Sequence, residues 1–161
     1  MPEKFFRISS KFKYQLAFTA VCIASAAVSA LVSGNIRSAY GELVLPRFAP
    51  PAAVFPAVWT ILYALQGAGA GTVFVSFSPY RERALAFFAV QLAAQFMWPV
   101  IFFGAQKYMA GFFWLLLTVY AAFACARQFA TVNKTAAAMQ LPYLVWLIFC
   151  SVTALLAALM N

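Results

Sequence analysis

The chain contains no histidine. That removes imidazole-based catalysis, most zinc sites and the commonest axial ligand of haem. Acidic side chains are nearly absent too, with Glu3, Glu42 and Glu82 the whole set. Ion pumps and proton-coupled transporters usually carry an ionisable group near the middle of the bilayer. No Asp, Glu, Lys or Arg stands near the middle of any long apolar run here, which argues against such a mechanism. Cysteine is sparse, and Cys22, Cys125 and Cys150 lie in apolar segments without metal-ligand spacing. They read as small buried residues.

What remains is apolar. Hydrophobic residues make up 66% of the chain and charged residues 9%, against about 45–50% and 25% in a soluble domain. The excess runs along the whole length, which points to a protein that crosses the membrane several times. A spanning helix needs roughly 20 apolar residues, so 161 residues with short loops hold about five. The apolar runs are continuous and do not alternate, unlike the strands of a β-barrel. The predicted fold is therefore an all-α membrane protein, one five-helix bundle over residues 1–161. The spans fall at about 14–34, 53–77, 83–104, 109–130 and 136–160. The first follows the basic stretch KFFRISSKFK. Its apolar run exceeds the usual 7–15 residues of a signal core, so it reads as a retained helix. Only the first loop, about 35–52, is long enough to act as a lid.

The net charge of +8 comes from eleven Lys and Arg residues placed at helix ends. There they act as topology signals and headgroup contacts and give no nucleic-acid surface. Lys4, Arg7, Lys11, Lys13, Arg81, Arg83, Arg127 and Lys134 share one side, and Arg37, Arg47 and Lys107 the other. Basic residues favour the inside. The N-terminus is expected in the cytoplasm of a bacterial cell, with the first loop opposite.

The polar residues within the spans fall on aromatic stripes. Phe55, Trp59, Tyr63 and Gln66 share one face of the second helix. Gln91, Gln95, Trp98 and Phe102 share one of the third, and Trp146, Cys150 and Thr153 one of the fifth. Such faces suit either packing seams or an apolar pocket with a few orienting groups. Pro99 lacks an N–H and crowds the carbonyl of Gln95, which loosens the backbone beside Trp98. Gly67 with Gly71, and Ala89 with Ala93, have the spacing of close helix approach. Pro46, Pro50 and Pro51 stiffen the first loop, and Pro56 falls where a missing N–H costs least.

The stretch PPAAVFPAVWTILYALQG (50–67) resembles the signature PPxWVFxPVWTxLYxxMG of the translocator protein family. Its members are also called tryptophan-rich sensory protein (TspO) or peripheral benzodiazepine receptor. WPVIFFGAQ (98–106) and LPYLVWLIFC (141–150) are similar to that family's third- and fifth-helix motifs. The resemblance implies a five-helix bundle, often a homodimer, that binds hydrophobic small molecules within the bilayer. Those are porphyrins, haem-pathway tetrapyrroles, sterols and benzodiazepine-type compounds. No cofactor is required, and a tetrapyrrole, porphyrin or haem, is the expected ligand. The implied pocket contains Phe55, Trp59, Tyr63, Gln95, Trp98, Trp146 and Cys150, under a lid that includes Arg47, Phe48, Pro50 and Pro51. The role would be transport, sensing or regulation. Two others stay open: light-dependent porphyrin degradation using Trp59 and Trp146, and a scaffold for a partner protein. The chain departs from the family pattern at several points. Leu45-Pro46-Arg47-Phe48 replaces the loop motif KPxW, and Ala53 replaces a tryptophan. Gln95 replaces an asparagine, Cys150 a small alanine and Thr153-Ala154 a Leu-Asn pair. No basic residue follows Lys134, so the C-terminal sterol-recognition pattern is absent.

Overall fold

The computed structural model describes the backbone from Pro2 and the side chains from Lys11 to Asn161. The topology signals Lys4 and Arg7, with Glu3, lie outside the described side chains. The chain forms α1 (Pro2–Val32), α2 (Ile36–Glu42), α3 (Val54–Phe74) and α4 (Arg81–Pro99). A π-helical turn (Val100–Gly104) extends α4. Then come α5 (Tyr108–Val132), α6 (Lys134–Ala138) and α7 (Leu141–Met160). Among the described residues, five segments are long and apolar enough to cross a membrane: Lys11–Val32, Val54–Phe74, Arg81–Gly104, Tyr108–Val132 and Lys134–Met160. At 1.5 Å per residue, 20 residues of helix span about 30 Å, the thickness of a hydrocarbon core. Their outer faces carry exposed Leu16, Val28, Ile61, Phe113, Leu117 and Ile148, suited to lipid.

Local chemistry sets the boundaries. The last span is broken near Met139 and Gln140. Asn133 caps α6 through Oδ1 and the Ala136 N–H at 3.0 Å, and Pro142 then opens α7. The first loop is not all coil. Asn35 Oδ1 accepts from the Ser38 N–H at 3.1 Å and starts α2. Pro56 is the third residue of α3, where its N–H would have no helical partner. Beyond Pro99 the backbone widens into the π-turn, with Ala105 N–H bonded to Val100 O at 2.8 Å. Interrupted helices of this kind are frequent at functional sites.

Around the bundle, α1 packs along α3, α4 on α5, and α5 on α7. Gly67 and Gly71 bring α1 and α3 together. A Cβ at either would collide with the backbone of Thr19 or Gln15. This is the close approach that the Gly-xxx-Gly spacing permits, and it operates within the chain. Two hydrogen bonds reinforce it: Gln15 Nε2 donates to Thr72 Oγ1 at 2.9 Å, and Thr19 Oγ1 to Ala64 O at 3.3 Å. Ala89 and Ala93 face outward.

The core has two halves. Near the first loop lie Trp98, Phe102, Leu115, Tyr143, Leu147 and Cys150. Away from it lie Cys22, Val73, Phe88, Cys125 and Phe129. The second half holds a cluster of fully buried glutamines. Gln91 Nε2 donates to Gln66 Oε1 at 3.0 Å and to Gln140 Oε1 at 3.3 Å. Amides in hydrocarbon require partners, and here the three side chains supply part of them to each other, while Gln66 Nε2 and Gln91 Oε1 have none.

Candidate functional site: a cavity beneath the first loop

From the glycine contacts toward the first loop, a cavity of about 560 Å³ opens between α1 and α3. Small residues make the room on the α1 side, where Ala26, Ala27, Ser29 and Ala30 line it. Phe55, Trp59, Thr60 and Tyr63 of α3 form the facing wall, and Gln95, Trp98, Pro99 and Phe103 close the back. Ile36, Arg37 and Tyr40 of α2 stand at the loop end. Ile23, Ala27, Ala30, Pro56 and Thr60 are exposed, so the seam between α1 and α3 is an open side of the cavity.

The rings of the aromatic wall pack on one another. Trp59 stacks on Tyr63 with ring centres 5.7 Å apart and lies 6.4 Å from Trp98 and 6.0 Å from Tyr143. Trp98 packs in turn on Phe102 and Phe103 at 5.5 and 5.7 Å. Polar groups are few: Ser29 Oγ donates to Phe96 O at 2.6 Å and Thr60 Oγ1 to Pro56 O at 2.8 Å, whereas those at the back are unpaired. Gln95 is 4% exposed, and neither its Oε1 nor its Nε2 makes a hydrogen bond; nor does Trp98 Nε1. The Tyr63 phenol neighbours the Gln95 amide without reaching hydrogen-bond geometry. Leaving such groups unpaired costs about 1–3 kcal/mol each. The cavity can therefore stack a flat apolar body and satisfy one of its polar groups at the back.

The first loop is tied down at several points. The Tyr40 hydroxyl donates to Pro50 O at 2.7 Å. Burial, with the Cys150 thiol adding to it, pushes the Tyr40 phenol above its ordinary value, so it stays a neutral donor at physiological pH. Asn161 grips Val44 twice: its Oδ1 accepts from the Val44 N–H at 3.0 Å and its Nδ2 donates to Val44 O at 3.0 Å. Phe48 packs on Phe149 with ring centres 6.2 Å apart.

The sequence-predicted residues divide. Phe55, Trp59, Tyr63, Gln95 and Trp98 come together in the cavity wall. Trp146 and Cys150 do not line it. Trp146 stacks on Phe149 at 5.3 Å and meets Phe55 in a T-shaped contact at 5.8 Å. Cys150 borders a separate void of about 30 Å³ behind Phe55 and Trp98. The reason is the helix order: α7 packs on α5, and the cavity lies between α1 and α3. Gln66 also leaves the aromatic stripe for the glutamine cluster. In the loop, Arg47, Phe48, Pro50 and Pro51 do not line the cavity, whereas Arg37 does. The α1 residues and α2 are the parts that sequence reasoning missed. Ala26 and Ala30 share a helix face at i and i+4, but small apolar residues give the same signal in a lipid-facing helix.

Residues 18–159 match the model of the TspO/MBR family. The chain belongs to the TspO/MBR family. It is 36% identical to the translocator protein of Homo sapiens over 124 residues, 75% of this chain and 73% of that one. It is 33% identical to the protein CrtK of Rhodobacter capsulatus over 128 residues, 78% of each chain. It is 32% identical to a tryptophan-rich sensory protein of Cereibacter sphaeroides over 131 residues, 81% of this chain and 80% of the relative. Family and helices together make this a multi-pass integral membrane protein, a TspO/MBR bundle with five spans.

Proposed function

We propose that this TspO/MBR chain binds tetrapyrroles and other flat hydrophobic molecules, of sterol or benzodiazepine type, in the cavity between α1 and α3, in a transport, sensing or regulatory role. One observation carries the reading. A 560 Å³ space is walled by Trp59, stacked on Tyr63 and tilted against Trp98, and backed by a buried amide that has no partner. Ligand sites are commonly about 300–1,000 Å³, mostly apolar, with a few orienting polar groups. The sequence offers no histidine to a haem iron, so stacking and burial hold the ring. Degradation of porphyrin by paired tryptophans has less support, because Trp146 lies outside the cavity wall.

Absorption titration of the purified chain with metal-free protoporphyrin and with haem tests this. Saturable shifts with both are expected, without the spectrum of a low-spin, bis-nitrogen haem. Absence of saturable binding to either would overturn it. The N-terminus is read as cytoplasmic from the charge bias, and Ala89 with Ala93 on the outer face of α4 offers a contact for a homodimer. Single-cysteine labelling from each side of the membrane tests the orientation. Reaction near Arg81 only from outside the cell would reverse it.

A further inference from the structure

We infer that Arg37 is the anchor for a carboxylate on the ligand, so that the cavity selects amphipathic acids over their neutral counterparts. The inference rests on the ligand-binding reading above and deepens it by naming the chemical class. Among the described residues, Arg37 is the one charged residue that lines the cavity. It stands on α2 at the loop end. No acid neutralises it: among the described residues the only ion pair is Arg81 with Glu82, and Glu42 instead accepts from Ser38 Oγ at 3.2 Å. At the back of the same cavity, Gln95 keeps a donor and an acceptor unpaired at 4% exposure.

A cavity with a free guanidinium at its mouth, aromatic walls and an unpaired amide at its back has a polarity along its length. Its mouth suits an ionised edge and its walls an apolar body. A guanidinium suits a carboxylate because its fork can donate two parallel hydrogen bonds. The pair also gains from lying at the rim of an apolar site, where screening by water is weaker than in bulk. A neutral ester keeps the apolar body and loses the charge. Tetrapyrroles with propionate side chains are one source of this chemistry and free fatty acids are another. Arg47, expected in the lid, is exposed as Arg37 is but lies outside the cavity lining, which makes it a control of equal charge.

The test uses the full chain in lipid nanodiscs, with empty discs subtracted. Two acid–ester pairs are titrated: protoporphyrin with its dimethyl ester, and the fluorescent fatty acid cis-parinaric acid with its methyl ester. Wild type, Arg37→Gln and Arg47→Gln are compared. Wild type is expected to prefer at least one acid over its ester by about tenfold. Arg37→Gln should abolish that preference while changing ester affinity less than twofold, and Arg47→Gln should preserve it. Acid selectivity for protoporphyrin identifies the tetrapyrrole source, and selectivity for parinaric acid alone sustains the anchor, identifies the fatty-acid source and shows that any bound porphyrin does not use Arg37. Equal binding of acid and ester in both pairs, or a preference that survives Arg37→Gln, overturns the anchor while leaving hydrophobic binding intact. No binding of any probe overturns both.

Discussion

Replacing Gly71 by alanine tests the contact that holds α1 to α3. The new Cβ would stand 2.5 Å from both Cα and N of Gln15, where ordinary contact begins at 3.4 Å. The obstacle is backbone and cannot swing aside, so the helices must part by about 0.9 Å. That movement takes the Gln15 Nε2–Thr72 Oγ1 bond, now 2.9 Å, out of hydrogen-bond range and weakens Thr19 Oγ1–Ala64 O at 3.3 Å. Overpacking costs about 1–3 kcal/mol, and each lost bond adds about 0.5–1.5 kcal/mol. Alanine returns about 1 kcal/mol of helix propensity. The net loss is about 1–3 kcal/mol, and at about 2–4 °C per kcal/mol for a chain of this size the Tm falls by about 2–12 °C. Thermal unfolding in detergent, followed by far-UV circular dichroism, measures it. Gly41→Ala is the control, since nothing lies within 4 Å of its Cβ position and α2 only gains propensity. A Gly71→Ala protein that melts at or above the wild-type temperature would refute the close packing of α1 on α3.

Other perturbations reach other parts of the molecule. Trp59→Phe should weaken tetrapyrrole binding by about tenfold, about 1.4 kcal/mol, with little change in Tm because the site already borders a void. Trp146→Phe should leave affinity within twofold; the reverse ranking in the same titration would place the ligand outside the cavity. Gln91→Leu strands two buried acceptors and should lower the Tm by several degrees. Replacing Gln66, Gln91 and Gln140 together by leucine should recover much of that loss, as read by the same melting curve. Asn161→Ala removes both bonds to Val44 and should speed ligand association and dissociation by similar factors in stopped-flow fluorescence, leaving Kd within twofold. A change in Kd alone would show that the loop does not move during exchange.

The five spans were legible because each is a long uncharged run, and that signal survives any error in detail. The glycine pair at 67 and 71 was legible as a close approach, but spacing alone could not say whether the partner was α1 or another copy. Half of the site was legible because tryptophan, tyrosine and glutamine at helical spacing are conspicuous against leucine and alanine. The opposite wall was hidden. Ala26, Ala27 and Ala30 make a cavity by what they lack, and an alanine facing a void looks the same in sequence as one facing lipid. Trp146 and Cys150 lie on an aromatic stripe like the others, but which neighbour a stripe meets depends on helix order, which periodicity does not encode. Arg37 and Arg47 carry the same charge in the same loop. They were distinguishable only once Asn35 was seen to start α2 and bring Arg37 to the cavity mouth.

The tight crossing at Gly67 and Gly71 makes α1 and α3 a lever pair whose pivot is far from the ligand. Some eleven residues separate Gly67 from the level of Pro56, about 17 Å of helix. A change of only about 5° in the crossing angle therefore moves the walls at the mouth by about 1.5 Å, roughly half the thickness of an aromatic ring. If lipid thickness bears on that angle, affinities measured in thin detergent micelles, thick sterol-rich membranes and native lipid form a graded series.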